Sequence, residues 1–149
     1  EPFVKPEHVL PIVEALKKGE EYATVATPFR SFDELQDPNN VKVVRDRKGH
    51  AIYFSRSVIP FVRDGNLSPG NYLKHVGVYG YTKEALKRFV GWPQGFLERA
   101  EKLEQLRILE NGYKIHVSVV ENSPLGIDTY EDLKKAEKVL KGEVEWLQS

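Results

Sequence analysis

The sequence predicts an α/β domain: a layered mixed β-sheet with flanking helices and one β-hairpin. Two observations carry this. Runs of apolar residues at helical spacing alternate with short runs rich in β-branched and aromatic residues, beginning near residue 6 and continuing along the chain. Two of the β runs, 41–46 and 50–59, flank Arg47-Lys48-Gly49, a tight turn in which Gly49 is free to take positive φ. Strands mixed with helices, together with a hairpin, make the sheet mixed rather than all parallel.

Each element has its own signal. In 6–18 the residues Val9, Leu10, Ile12, Val13 and Leu16 recur at helical spacing, and Gly19 ends the helix. Pro11 either sits in the first turn of a helix starting near Leu10 or kinks a longer one. Residues 22–27 read as a strand closed by Pro28, and Ser31-Phe-Asp-Glu34 has the capping-box form that opens a short helix. After the hairpin, 60–71 form the longest loop, marked by Pro60, Asp64-Gly-Asn66 and Ser68-Pro-Gly70. Residues 73–81 follow as a strand. Thr82 caps a helix through Phe89, and 94–111 read as one further helix with Leu97, Ala100, Leu103, Leu106 and Leu109 at three-residue steps and Gly112 as its stop. Residues 113–120 make a strand whose Ile115, Val117 and Val119 share a face. Thr129 then caps a helix carrying Leu133, Ala136, Val139 and Leu140, with Glu131 and Asp132 in its first turn.

Bulk composition narrows the function classes. The 149 residues fit one domain, and 22 basic residues balance 22 acidic ones, so no net field draws in nucleic acid or an acidic membrane surface. There is no Cys for a disulfide framework and no apolar run of membrane-spanning length. A cytoplasmic protein is expected, with neither nucleic acid nor membrane as partner. Position 1 is Glu and no Met occurs, so residues upstream are expected to have been removed.

Several polar residues sit where packing alone has no need of them. His75 and Tyr79 lie four apart in a buried-strand pattern, on one face by the two-residue period. Glu104 and Gln105 interrupt the apolar stripe of their helix, which is costly unless both are paired. Arg56, read as mid-strand, suits bidentate capture of a carboxylate or phosphate, or is a solvated edge-strand Arg. Arg63 lies in the following loop. Asp128, after a strand and directly before a helix cap, either holds Mg²⁺ or caps the helix. Glu98, Arg99, Glu101 and Lys102 read as a wet helix face. No phosphate-binding glycine loop is present, and His8, His50, His75 and His116 are too scattered for a zinc motif.

Six ordered blocks nevertheless resemble one family: Asn40-Val-Lys-Val-Val44, Ala51-Ile-Tyr-Phe-Ser-Arg-Ser-Val-Ile-Pro60, His75-Val-Gly-Val-Tyr-Gly-Tyr81, Leu103-Glu-Gln-Leu-Arg107, Lys114-Ile-His-Val117 and Gly126-Ile-Asp-Thr-Tyr-Glu-Asp-Leu133. Together they are similar to the bacterial 3-deoxy-manno-octulosonate (Kdo) cytidylyltransferases, the CMP-Kdo synthetases. The resemblance implies a nucleotide-diphospho-sugar-transferase-like sheet. It also implies attack of a Kdo hydroxyl on the α-phosphate of CTP, giving CMP-Kdo and pyrophosphate for lipopolysaccharide synthesis. By the same resemblance Arg56, His75, Tyr79, Glu104 and Gln105 line the acidic-sugar pocket, Arg63 assists, Asp128 ligates Mg²⁺, and the enzyme is a homodimer. No side-chain general base is assigned.

The family's amino-terminal part, with its basic, Gly-containing loop for the CTP phosphates and a second metal-binding Asp, has no counterpart in these residues. Residues 1–149 are therefore expected to form a single partial domain, for sugar binding and dimerisation, inactive by itself. A synthetase for another acidic sugar such as sialic acid, or a non-catalytic dimerisation module, are the competing readings.

Overall fold

The computed structural model describes residues 6–65, 67–121 and 144–148. Helix α1 (Pro6–Lys17) leads into β1 (Tyr22–Pro28), and the short α2 (Phe32–Gln36) precedes the hairpin of β2 (Lys42–Arg45) and β3 (Ala51–Ser55). A single 3-10 turn at Pro69–Asn71 introduces β4 (Leu73–Thr82). Helices α3 (Lys83–Gly91), α4 (Phe96–Glu101) and α5 (Leu106–Glu110) follow, then β5 (His116–Val119) and β6 (Val144–Gln148).

The strands form one sheet in the order β3-β2-β4-β1-β5. β1 runs parallel to β5 and antiparallel to β4, so the sheet is mixed, as the sequence pattern predicts. The far edge of β4 is shared: β2 pairs with Leu73 and Lys74, and β6 with Val78 through Thr82. Helix α1 covers one face, laying Val9, Ile12, Val13 and Leu16 on Ala23, Val25 and Val78. There the helix comes so close that a Cβ on Gly80 would overlap Ile12 and Leu16. The opposite face carries Tyr22, Phe54, Tyr79, Tyr81 and Val117 beneath Ala85, Leu103, Leu106 and Ile108 from α3, α5 and the turn before it. A small cluster of Phe29, Leu35 and Tyr72 lies under the long loop with Val58 and Val62.

Local chemistry sets most boundaries where the sequence places them. Ser31 and Thr82 accept hydrogen bonds from Glu34 N–H and Ala85 N–H as N-caps, and Gly19 and Gly49 take φ of 110° and 90°. The placement of Pro11, which the sequence leaves open, is decided, and three expectations are corrected. α1 begins at Pro6, so Pro11 lies inside a longer helix, its missing donor offset by the burial of Val9, Ile12, Val13 and Leu16. β3 stops at Ser55, so Arg56 is not mid-strand: the Arg56 N–H goes to the Glu101 carboxylate and the Ser57 N–H to Ser55 Oγ, which takes both donors out of the ladder.

Residues 94–111 are not one helix. Lys102 adopts the left-handed conformation (φ 57°, ψ 50°) and separates α4 from α5. Glu98 and Arg107 explain the break. On a continuous helix, nine residues would set them about 13 Å apart along the axis, whereas folding back lets them pair at 2.7 Å. Lastly, the strand expected at 113–120 is shorter, with β5 spanning His116–Val119. β6 has no counterpart among the expected strands. The helix expected after Thr129 lies outside the described residues. Among the described residues no helix is long and apolar enough to cross a membrane.

Candidate functional site

A β-bulge organises the site. Thr24 of β1 faces Tyr79 of β4, but the next residue, Val25, faces Val76, so Gly77 and Val78 are extra on β4. In a regular strand, residues four apart lie about 13 Å from each other; here the His75 and Tyr79 rings are 5.1 Å apart between centroids. The Thr24 hydroxyl fills the bulge, 3.0 Å from His75 Nε2, 3.2 Å from the Val76 carbonyl oxygen and 2.5 Å from that of Val78. Phe54 meets the imidazole edge-on at 4.9 Å, and Tyr81 stacks beyond Tyr79 at 6.3 Å. Burial lowers the His75 pKa to about 3, so the ring is neutral near pH 7.

The turn between α4 and α5 joins the same core. Leu103 and Leu106 pack in the same cluster as Tyr79 and Tyr81, and between them stand Glu104, exposed, and Gln105, 6 % exposed. Both residues thus belong to a turn rather than to the stripe of a helix. The Tyr81 phenol is pushed up to about 12, first by burial and next by the Glu104 charge, which places that carboxylate within electrostatic reach of the aromatic row.

Arg56 reaches the same turn from the other side. Its guanidinium donates to the carbonyls of Glu101 (2.7 Å), Lys102 (3.2 Å) and Pro38 (3.0 Å), closing the carboxyl end of α4. Three of its five N–H groups are thereby used, leaving one on each terminal nitrogen. Arg63 stands apart: its side chain is 87 % exposed and pairs with neighbouring Asp64. Asp128 lies outside the described residues. The structure therefore brings His75 and Tyr79 into contact, sets the Glu104 charge within reach of Tyr81, carries Gln105 on the same turn and ties Arg56 to that turn.

Sequence reasoning missed the groups that hold this arrangement. Glu98, assigned to a wet face, is 3 % exposed and accepts two hydrogen bonds from Arg107 at 2.8 and 2.7 Å, while the Arg107 guanidinium lies 4.4 Å over Phe89. Glu101, assigned to the same face, accepts from Tyr53 OH (3.1 Å), Ser55 Oγ (2.8 Å) and Arg56 N–H (2.9 Å). The signal was a second three-residue row, Glu98, Glu101, Glu104, Arg107 and Glu110, directly beside the apolar one. Lys42, fully buried, donates to the carbonyls of Asp37 and Arg56, and burial lowers its pKa. The histidines, scattered in sequence, partly converge: the His50 and His116 rings are 5.7 Å apart, and His50 Nε2 is 3.0 Å from both Glu20 oxygens. Among the described residues no group of His, Asp and Glu is arranged to hold a metal ion.

A mixed sheet with helices on both faces is the architecture of a nucleotide-sugar-transferase-like fold. The solved structure of a CMP:2-keto-3-deoxy-manno-octonic acid synthetase complexed with CTP matches it with a TM-score of 0.74 at 32 % identity, over 94 % of this chain and 58 % of that one. Residues 1–115 match the cytidylyltransferase family, and the chain belongs to that family. Among its relatives is the 3-deoxy-manno-octulosonate cytidylyltransferase of Koribacter versatilis, 45 % identical over 142 residues, covering 95 % of this chain and 53 % of that protein. The enzyme of the same name from Thermodesulfovibrio yellowstonii is 46 % identical over 145 residues, covering 94 % of this chain and 57 % of that protein. The chain thus spans about half the length of the relatives it matches.

Proposed function

We propose that this chain supplies the acidic-sugar site of a CTP-dependent cytidylyltransferase that transfers CMP to Kdo, releasing pyrophosphate and providing CMP-Kdo for lipopolysaccharide synthesis. The observation that carries the reading is the contact of a neutral imidazole with a phenol at the β4 bulge, in the aromatic row whose Tyr81 feels the Glu104 charge. A sugar rich in hydroxyls needs directional donors and acceptors of this kind. In the proposal His75, Tyr79, Glu104 and Gln105 read hydroxyls, and Arg56 offers its two remaining N–H groups and its positive charge to the sugar carboxylate. Arg63 adds charge from the long loop. The residues bind and orient, so that the attacking hydroxyl is presented with its entropy of positioning already spent.

Mg²⁺ held through Asp128 belongs to the proposal on the resemblance alone; when bound it would neutralise charge on the phosphates of CTP. A homodimer is supported by exposed apolar residues on the hairpin and the long loop, Ile52 (60 %) and Phe61 (85 %). A cytoplasmic location fits the supply of CTP. Residues 1–149 are one partial domain in this reading.

The test uses the protein at its full natural length, measuring pyrophosphate release from CTP with Kdo and with sialic acid. Release with Kdo is expected. Release with sialic acid alone, or with neither sugar, overturns the proposal. Residues 1–149 in isolation are expected to give no CMP-Kdo in a single-turnover assay.

A further inference from the structure

We propose that Thr24 is a positioning residue: it fixes His75 as the Nε2–H tautomer and so leaves Nδ1 as a hydrogen-bond acceptor for a ligand hydroxyl. A threonine hydroxyl carries one proton and two lone pairs. Thr24 Oγ1 lies 2.5 Å from the Val78 carbonyl oxygen and 3.2 Å from that of Val76. Carbonyl oxygens only accept, and two oxygens at such a separation repel unless a proton lies between them. The hydroxyl proton is therefore committed to the bulge carbonyls. His75 Nε2, 3.0 Å from the same oxygen, can then bond to it only by donating.

A neutral imidazole has a single N–H, so with Nε2 protonated Nδ1 carries a lone pair. Nδ1 has no hydrogen-bond partner among the described residues. The ring cannot swing away, since Phe54 abuts it at 4.9 Å and Tyr79 at 5.1 Å. Burial keeps it uncharged near neutrality, which preserves the lone pair. The bulge thus does two things at once: it brings His75 to Tyr79, and it turns the two carbonyls onto the hydroxyl that selects the tautomer.

The tautomer assignment is independent of the proposed function; the sugar as the ligand rests on it. Long-range ¹⁵N–¹H correlation spectra of the histidine rings, in the full-length protein without substrate at about pH 7, are expected to show His75 with Nε2 protonated and Nδ1 bare. An Nδ1–H tautomer or an imidazolium overturns the proposal. Thr24→Val, which keeps the shape and removes the hydroxyl, is expected to abolish the single-tautomer signature. It should also raise KM for the acidic sugar about tenfold, with kcat changed less than about threefold; Thr24→Ser should restore both. An unchanged KM in a folded Thr24→Val protein overturns the acceptor role. Should that variant fail to fold, the wild-type spectrum and Thr24→Ser still decide. A protein inactive with Kdo but showing the expected spectrum would sink the function and leave the tautomer assignment standing.

Discussion

Glu98 and Glu101 differ by three positions, and the physics of each follows from what it meets. Glu98 is nearly sealed from water and gives both oxygens to Arg107, so removing either partner strands a buried charge. Arg107→Ala is expected to cost about 3–5 kcal/mol, read from urea unfolding. Glu101 instead gathers an O–H from each of Tyr53 and Ser55 and the Arg56 N–H. Glu101→Ala leaves these donors without an acceptor at a cost of about 1–3 kcal/mol and loosens Arg56, so under the proposed function KM for the sugar should rise more than for Ser55→Ala. An equal rise in the two variants would break the link to Arg56. At this scale the sequence shows that polar residues are out of place, as with His75, Tyr79 and Gln105, but not which partner satisfies them. Thr24 illustrates why: a threonine in a strand is ordinary, and only the bulge makes its hydroxyl matter.

The helix pair α4 and α5 marks the limit of periodicity. Leu97, Leu103, Leu106 and Leu109 reach one core through a region that is two short helices joined by a left-handed Lys102, because the turn returns the chain to the same side, whereas Ala100 of the same three-residue row is exposed. Propensity cannot foresee a break whose cause is a pairing nine residues apart. Lys102→Gly, which removes the Cβ clash of the left-handed region, is expected to stabilise the protein by up to about 1 kcal/mol, measured as a rise in the urea midpoint. The α1–β4 contact is the opposite case, with no tolerance left. Gly80→Ala places a methyl group against Ile12 and Leu16 and is expected to destabilise by about 1–3 kcal/mol; a neutral effect would mean that α1 is free to shift. Capped elements such as α2 and α3 were legible because their signals are local, whereas β6 depends on an edge of β4 that only the fold supplies.

For the molecule as a whole, the α/β class, the mixed sheet and the hairpin are legible in pattern, and the six blocks resemble the cytidylyltransferases. Geometry adds a dependence on acidity. The folded-state pKa of His75 is about 3, against an ordinary value of 6.5, and burial lowers that of His116 as well, so the unfolded chain takes up these protons first. The His75 contribution to stability is complete above about pH 6.5 and is lost as pH falls toward about 3, and that of His116 changes in the same direction. Glu34 adds to the loss lower down. Burial pushes its carboxyl up, but the Lys74 ammonium and the Arg30 N–H together outweigh this and hold it below 4.5. Stability is therefore expected to decline with acid between about pH 6.5 and about pH 4.5, where carboxylates contribute little. A His75→Gln protein should show a shallower slope by urea unfolding at each pH, and an identical slope would contradict the burial of that ring.

The Glu98–Arg107 pair has one more consequence, for ionic strength. Charges closed off from solvent feel little of the counterion atmosphere that weakens a surface pair such as Arg63–Asp64. Brine should therefore leave the elbow that carries Glu104 and Gln105 in place, so that under the proposed function a salt dependence of sugar affinity would report on the exposed charges of ligand and loop rather than on a wall coming loose.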